Sequence, residues 1–329
     1  MALTVRHVLI LRALGLGDFL TGVPAYRALR SAYPDALLTL AAPASLKPMI
    51  GLTQALDRLH PTKGLGRLGP IGPPPDLAVN LHGRGPASID DLVATAAGKV
   101  ITHCHPLRPG VEGPDWRDDL HEVLRWCRLL ECHGIPADSA DLRLSSPEVQ
   151  PLVADAVVVH PGAAAPARRW PAERFGAVAH RLAIAGHQVV VTGTLDEASA
   201  AAVVVGSGGL PQDSNLCGQL DVIQLAALVA NARLVICGDT GVAHLASAYG
   251  TPSVLLFGPT PPSQWGPPAD GPHTVLWHGV TGDPHGDRAD PGLLRIGVED
   301  VMEAAARYLS DRPRQTNGRA VWSYRDVLT

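Results

Sequence analysis

A strand-to-helix junction near residue 240 constrains the fold more than any other feature of this sequence. Residues 235–237 are apolar, residues 238–241 read Gly-Asp-Thr-Gly, and an Ala-rich helical pattern with one histidine follows directly. This order predicts a buried strand that feeds a helix through a tight glycine turn. Such a junction directs backbone N–H groups and the positive end of the helix dipole at one point, which suits a phosphate group.

Short apolar runs alternate with longer helical patterns along the whole chain. The runs predict strands at residues 7–12, 36–41, 77–81, 99–102, 156–160, 188–192, 234–237, 253–257 and 274–277. The longer patterns predict helices at residues 18–31, 45–52, 87–97, 116–133, 171–185, 197–205, 221–230, 242–249 and 298–309. This alternation is typical of α/β proteins with a mostly parallel, doubly wound sheet.

The pattern lapses once, at residues 135–154, where Pro, Ser and Asp predominate. A chain of 329 residues fits two ordinary domains. We therefore predict two Rossmann-like domains that face each other across a cleft. Their predicted ranges are 1–150 and 151–310. A polar tail at 311–329 follows, for which disorder and docking on the first domain both remain open.

Composition narrows the classes of function. Hydrophobic residues make up 46% of the chain and charged residues 18%, which is enough apolar material for two packed cores. The net charge of −4 argues against a nucleic-acid partner. The first strand carries no signal-peptide pattern, and no apolar stretch is long enough for a membrane span. We expect a soluble, cytoplasmic monomer, with peripheral membrane contact left open.

The cysteines and histidines do not predict a metal site. Five cysteines without a Cys-x-x-Cys spacing indicate free thiols in a reducing compartment. His103, Cys104 and His105 are consecutive, but adjacent residues on a strand point to opposite faces of the sheet, and no second ligand cluster follows. We therefore expect neither a metal nor a cofactor.

The first strand ends in a glycine turn, Gly15-Leu16-Gly17-Asp18. The third small residue of a dinucleotide fingerprint is missing, because position 20 is Leu. No acidic residue ends the second strand, where a dehydrogenase would hold the ribose, so an NAD-dependent enzyme is disfavoured. Asp18 has two interpretations from the residues alone. It either accepts a proton from a hydroxyl nucleophile or caps the following helix.

The predicted second domain repeats the strand–turn–helix pattern three times. After the first of these strands come His160-Pro161-Gly162 and the adjacent cations Arg168 and Arg169, which are either diphosphate ligands or a solvated basic loop. In the second strand–turn–helix repeat, His244 follows Asp239 by about one helical turn. It is either a packed core residue or a site residue, and Asp239 could cap the helix, orient His244 or bind a ligand hydroxyl. The third turn is Gly258-Pro259-Thr260.

Taken in order, these segments resemble glycosyltransferase family 9, the ADP-heptose:lipopolysaccharide heptosyltransferase family. The matching segments are residues 15–18, 80–83, 160–162, 168–171, 239–244 and 257–260. The resemblance implies a GT-B fold, with the nucleotide-sugar donor held by the C-terminal domain and the acceptor by the N-terminal domain. It also implies metal-independent transfer with inversion at the anomeric carbon.

The resemblance implies a role for individual residues. Asp18 corresponds to the general base. The diphosphate would be bound by Arg168, Thr240, Gly241 and His244. The donor nucleotide and sugar would be bound by Asp239, His160, Gly162, Gly258, Pro259 and Thr260. The acceptor side would include Gly15, Gly17, His82 and Arg84. Two departures put details of the donor site in doubt: the family commonly has Lys where this chain has Arg168, and residues 163–165 are alanines where hydroxyl side chains often stand.

Two alternatives and the acceptor stay open. The chain could be a GT-B sugar-nucleotide epimerase, or a sugar-nucleotide-binding protein without transfer activity. An anionic lipopolysaccharide acceptor would require a basic surface on the first domain. Candidate cations there are Arg12, Arg84 and Arg108, but Asp90, Asp91, Glu112 and Asp115 offset them. A small sugar, an aminocyclitol-type metabolite or another envelope glycan therefore remains possible as the acceptor.

Overall fold

The computed structural model describes residues 5–279 and 281–309. The chain divides into two compact units, with the division between Ser145 and Ser146. The predicted tail at 311–329 lies outside the described residues. Within the described part of the chain, the helices are all too short or too polar to cross a membrane.

The first unit is built on a five-stranded parallel sheet in the order β3-β2-β1-β4-β5. Its strands are β1 (His7–Leu11), β2 (Leu37–Ala42), β3 (Arg58–Pro61), β4 (Leu77–Asn80) and β5 (Lys99–Ile101). Its helices are α1 (Leu16–Thr21), α2 (Val23–Ala32), α3 (Ala87–Val93) and α4 (Glu122–Cys132).

The second unit has a parallel sheet of five strands in the order β10-β9-β8-β6-β7. Its strands are β6 (Val157–His160), β7 (Val189–Val191), β8 (Leu234–Gly238), β9 (Ser253–Leu256) and β10 (His273–Leu276). Its helices are α5 (Ala172–Ile184), α6 (Ala198–Gly208), α7 (Val222–Ala230), α8 (Gly241–Tyr249), α9 (Pro262–Trp265), α10 (Pro291–Leu294) and α11 (Val298–Leu309). The core packs these apolar strands against α5, α6 and α11.

Each sheet has one point at which the direction of strand addition reverses. In the first unit the chain proceeds from β1 to β2 and β3, and then returns to place β4 on the other side of β1. In the second unit it proceeds from β6 to β7 and then places β8 on the other side of β6. Open α/β sheets bind ligands outside the carboxyl ends of the strands at such switch points. The topology therefore selects two edges, β1/β4 and β6/β8.

The structure departs from the sequence-based prediction mainly in the first unit. Strand β3 was not predicted, because its sequence Arg-Leu-His-Pro lies at the edge of the sheet and is not an apolar run. The predicted helix 18–31 is wrong as a single element. The chain forms α1 and α2 instead, and α2 begins with Pro24 in its first turn, where a missing N–H costs nothing. The predicted helix 45–52 is replaced by two short 3₁₀ segments, the first of which contains Pro48.

Candidate functional site

Arg12 organises the switch point of the first unit. It follows β1, and its side chain is fully buried. Its guanidinium donates to the backbone oxygens of Asp18 and Leu81, and so ties the start of α1 to the end of β4. It also donates to Thr21 Oγ1 at 2.8 Å and to Glu122 Oε1 at 3.0 Å. Arg12 was one candidate cation for an anionic acceptor, and it is unsuited to that role because its side chain is fully buried.

Asp18 stands in the first turn of α1, with its side chain 28% exposed. Its Oδ1 lies 3.7 Å from Nη2 of Arg12. The N-cap residue of α1 is Gly15, so Asp18 does not occupy the N-cap position. A Cβ at Gly15 would meet no atom within 4 Å, so the space beside this turn is open. Asp18 is therefore a partly accessible carboxylate beside a buried guanidinium.

His82 and Arg84 follow β4 at the same edge of the sheet. The Nδ1 atom of His82 accepts the N–H of Ala13 at 3.1 Å, so the neutral ring carries its proton on Nε2. Burial, with a smaller contribution from Arg12, lowers the pKa of His82 to about 4. Arg84 is exposed and lines a cavity of the first unit. These two residues thus present a neutral imidazole and a charged guanidinium.

Sequence reasoning missed Glu122, which begins α4. Its Oε1 accepts from Arg12 and from Trp126 Nε1 at 2.9 Å, and its Oε2 accepts from Arg125 Nε at 3.1 Å. Burial alone would raise the pKa of Glu122, but Arg12 and Arg125 lower it below its usual value. No local pattern could have linked Glu122 to Arg12, because 110 residues separate them.

The switch point of the second unit holds the Asp-Thr-Gly turn. Thr240 is the N-cap residue of α8, and its own side chain makes no capping hydrogen bond. The helix therefore supplies no partner for the N–H groups of Gly241 and Val242. Asp239, which precedes the turn, is 5% exposed. The positive end of a nine-residue helix thus meets the carboxyl end of β8.

Arg168 is brought to this turn from the loop after β6. Its Nη1 lies 3.6 Å from Asp239 Oδ2 and 3.5 Å from the Asp239 backbone oxygen. Its buried Nε has no hydrogen-bond partner among the described residues. A Cβ at Gly238 would lie 3.1 Å from the Arg168 backbone oxygen, so glycine permits this close approach. The guanidinium has long contacts and spare donors, which leaves it able to bind an anion.

The neighbouring Arg169 has a different role. Its Nε donates to the backbone oxygen of Ala163 at 2.8 Å and so closes the loop on itself. The two adjacent cations, which sequence alone could not tell apart, are thereby distinguished: one meets the Asp-Thr-Gly turn and the other holds the loop.

His160 and Gly162 are placed below the surface of the site. His160 is 6% exposed, its Nδ1 lies 3.0 Å from Thr192 Oγ1, and its Nε2 lies 4.0 Å from Glu197 Oε2. Burial lowers the pKa of His160, and Glu197 opposes this effect in part. The Glu197 carboxylate occupies the space that a Cβ at Gly162 would need. Sequence reasoning assigned no role to Glu197, which it placed at the start of a predicted helix.

The turn at Gly258, Pro259 and Thr260 lies beside the Asp-Thr-Gly turn, because Gly238 of β8 pairs with Leu256 of β9. A Cβ at Gly258 would lie 2.9 Å from Leu293 Cβ, so this glycine is required by the packing of α10. Thr260 is 8% exposed.

His244 is also 8% exposed, and its ring centroid lies 5.9 Å from that of Trp265 with the rings edge to face. The second unit therefore gathers most of the predicted donor residues at the ends of three adjacent strands.

The residues once considered for a metal do not form a binding group. Across residues 5–279 and 281–309, no cluster of three or more His, Cys, Asp or Glu side chains is suited to a metal ion. His103 is buried, its ring edge to face with Trp116 and Trp126, and burial lowers its pKa to about 4.

Comparison with known proteins gives consistent results. The profile of glycosyltransferase family 9 (heptosyltransferase) matches residues 115–283, just over half of the chain. A lipopolysaccharide heptosyltransferase 2 of Escherichia coli K12 is 25% identical over 295 residues, which cover 78% of this chain and 83% of that protein. The structure of E. coli ADP-heptose lps heptosyltransferase II superposes with a TM-score of 0.74 at 21% identity, covering 92% of this chain and 98% of the other.

A family 9 glycosyl transferase of Veillonella parvula DSM 2008 gives a TM-score of 0.75 at 23% identity, covering 94% and 98% of the two chains. These likenesses confirm the expected fold, which is GT-B with two Rossmann-like α/β domains.

Proposed function

Because this chain belongs to glycosyltransferase family 9, the heptosyltransferase family, and is therefore a glycosyltransferase, we propose that it transfers a heptose from ADP-heptose to a hydroxyl group of a glycan acceptor. The E. coli protein that it resembles is named for lipopolysaccharide, and the E. coli structure is titled for ADP-heptose. The observation that carries the proposal is the convergence of Arg168 with the start of α8 at a sheet switch point.

The second unit would hold the donor by its diphosphate. The N–H groups of Gly241 and Val242 and the dipole of α8 favour a negative group at Thr240. Arg168 adds a positive charge with spare hydrogen-bond donors, because its contacts to Asp239 are long and its Nε has no partner among the described residues. A diphosphate offers oxygens that match the planar guanidinium. His244 would also contact the diphosphate, and Thr260 would contact the nucleotide or sugar of the donor.

Breaking the glycosidic bond leaves a nucleoside diphosphate with an additional negative charge. Arg168 and the α8 dipole would stabilise that charge as it develops, because both are in place before the reaction begins. We propose that they do so without a divalent cation. In that case a chelator leaves the rate unchanged, and a rate that falls with chelation and recovers with added Mg²⁺ contradicts this part of the proposal.

The first unit would supply the base. Asp18 is partly exposed and lies beside the Arg12 guanidinium, and a positioned carboxylate can accept a proton from a hydroxyl group. In the proposed reaction Asp18 takes the proton of the acceptor hydroxyl group while the hydroxyl oxygen attacks the anomeric carbon of the donor sugar. The bond to the diphosphate breaks on the opposite face, so the anomeric configuration inverts. His82, with its proton on Nε2, would donate a hydrogen bond to the acceptor.

His160, Gly162 and Gly258 would serve the donor site indirectly. The first two pack against Glu197, and the third packs against α10. They would therefore hold the backbone of the loops that carry Arg168 and Thr260. Asp239 would orient Arg168, because its carboxylate is buried beside the guanidinium.

The proposal is tested by incubating the full chain with ADP-heptose alone, with heptose-accepting core oligosaccharide, and with an oligosaccharide that carries neither phosphate nor carboxylate. We expect release of ADP and a heptosylated product only when an acceptor is present. A changed sugar nucleotide without acceptor would instead indicate an epimerase. ADP binding without any product would indicate a binding protein.

The donor nucleotide is tested separately by thermal unfolding with ADP, UDP and GDP. A ligand that binds only the native state raises the unfolding temperature by mass action. We expect the largest increase with ADP. An equal or larger increase with UDP or GDP contradicts the choice of donor.

A further inference from the structure

A cavity of about 760 Å³ opens in the first unit beside Arg84. Pockets for small molecules usually have volumes of roughly 300–1,000 Å³. Three segments form its wall: Arg84 after β4, residues 104–109 and 111 after β5, and residues 115, 116 and 118 before α4. Two of these segments follow neighbouring strands at the carboxyl edge of the sheet, where ligands of α/β domains bind.

The part of the wall before α4 is fixed by Arg125. Its guanidinium lies over the ring of Trp116, 4.1 Å from the ring centroid. It also donates to the backbone oxygens of Arg117 and Leu120. A half-buried aromatic ring that is held in one position is a suitable surface for the C–H face of a sugar.

The same buried network reaches the proposed base. Arg125 pairs with Glu122 at 3.1 Å, Glu122 pairs with Arg12 at 3.0 Å, and Arg12 lies 3.7 Å from Asp18. The cavity wall and the turn of Asp18 are thus positioned by one continuous set of contacts within the first unit.

The charges of the cavity wall do not favour an anion. Arg108 is already paired with Asp90 through two hydrogen bonds. Arg84 remains as the second cation of the wall, and the carboxylates of Asp115 and Asp118 offset it. A phosphate or carboxylate placed here would meet a wall without net positive charge. Sugar hydroxyls, by contrast, would find both carboxylate acceptors and guanidinium donors.

Resting on the proposed transferase function, we propose that this cavity binds the acceptor sugar and selects one that carries neither phosphate nor carboxylate. The carboxylates of Asp115 and Asp118 would accept hydrogen bonds from its hydroxyl or amino groups, and Trp116 would contact its ring. The substrate class is therefore a neutral or amino-substituted sugar.

The indole N–H of Trp116 gives a site-specific test. This group donates to Asp118 Oδ1 at 2.7 Å, so its ¹⁵N NMR signal reports on the cavity. The full chain is titrated with glucose, glucosamine and glucose 6-phosphate. The signal is assigned with W116F and, should that variant not fold, with D118N, which changes the acceptor of the indole proton.

We expect saturable shifts of this signal with glucose and glucosamine, and binding about tenfold weaker with glucose 6-phosphate. D115N should bind glucosamine more weakly than the wild type does. It should also reduce the difference in affinity between glucose and glucose 6-phosphate. D119N is the matched control, because Asp119 is exposed, pairs with Arg117 and does not line the cavity. Tighter binding of glucose 6-phosphate than of glucose, or no response to any of the three sugars, overturns the proposal.

A parallel ADP titration of the same sample separates this inference from the proposed function. If the full chain does not bind ADP, the proposed donor site of the second unit is contradicted. A normal ADP affinity with an unresponsive Trp116 would contradict the acceptor cavity alone.

Discussion

Nη2 of Arg12 lies 3.7 Å from Oδ1 of Asp18, and Arg12 is fully buried whereas Asp18 is partly exposed. The same nitrogen lies 3.0 Å from Glu122 Oε1, and this contact fixes the buried guanidinium in place. The carboxylate that is the candidate base therefore stands beside a fixed positive charge.

E122A should destabilise the protein by about 3–5 kcal/mol, because it leaves Arg12 and Arg125 buried without their carboxylate. Urea denaturation of the variant measures the change in the free energy of unfolding. E131A on the same helix is the control, since Glu131 is exposed. Equal stability of the two variants would show that the buried network contributes little.

R168A should weaken ADP binding by about 10- to 100-fold, the loss expected for a charge-assisted contact of about 1.5–3 kcal/mol. R168K should lose less, because it keeps the charge but not the planar geometry. Calorimetric titration with ADP measures both variants. R181A provides the comparison, because Arg181 forms an exposed pair with Glu299. An unchanged affinity in R168A would remove Arg168 from the donor site.

G162A should destabilise the protein by about 1–3 kcal/mol, because the added Cβ would overlap the Glu197 carboxylate. G206A is the matched control. Gly206 lies within α6, and a Cβ there would meet no atom within 4 Å, so this change should be neutral or stabilising by up to about 1 kcal/mol. Thermal unfolding of both variants checks the prediction, and a neutral G162A would contradict it.

The stability of the fold should depend on the protonation of His103. Burial lowers the pKa of His103 to about 4, so the unfolded chain binds this proton more readily as the pH falls below about 6.5. Stability from this group is complete above that pH and is lost toward pH 4, by at most about 1.4 kcal/mol per pH unit.

H103L should flatten this part of the pH dependence, measured by urea denaturation between pH 4 and 7. The exposed His278 is the control, and H278Q should retain the wild-type slope. An unchanged slope in H103L would assign the pH dependence to other groups.

The α/β class, the order of the elements and most strands of the second unit could be predicted because each depends on a local apolar pattern. Strand β3 could not, since Arg58 and its neighbours pair at a sheet edge without an apolar run. Helix α11, at Val298–Leu309, was predicted with its observed bounds because its amphipathic pattern is strong.

Candidate site residues could be found where they follow a strand in a recognisable turn, as Asp18 and Asp239 do. Glu122 and Glu197 could not be found in this way. Glu122 contacts Arg12 and Glu197 lies near His160, and in each pair the two residues are distant in sequence and meet only in the folded chain. The buried position of Arg12 was likewise not predictable, since an arginine after a strand is more often exposed.

The most direct test of the account is the transfer rate of D18N measured beside its affinity for ADP. Loss of a general base should lower the rate of heptose transfer by about 10²- to 10⁴-fold, while the ADP affinity, which depends on Arg168 and the start of α8, stays at the wild-type value. A D18N variant that transfers heptose at close to the wild-type rate would contradict the assignment of Asp18 as the base and with it the proposed mechanism.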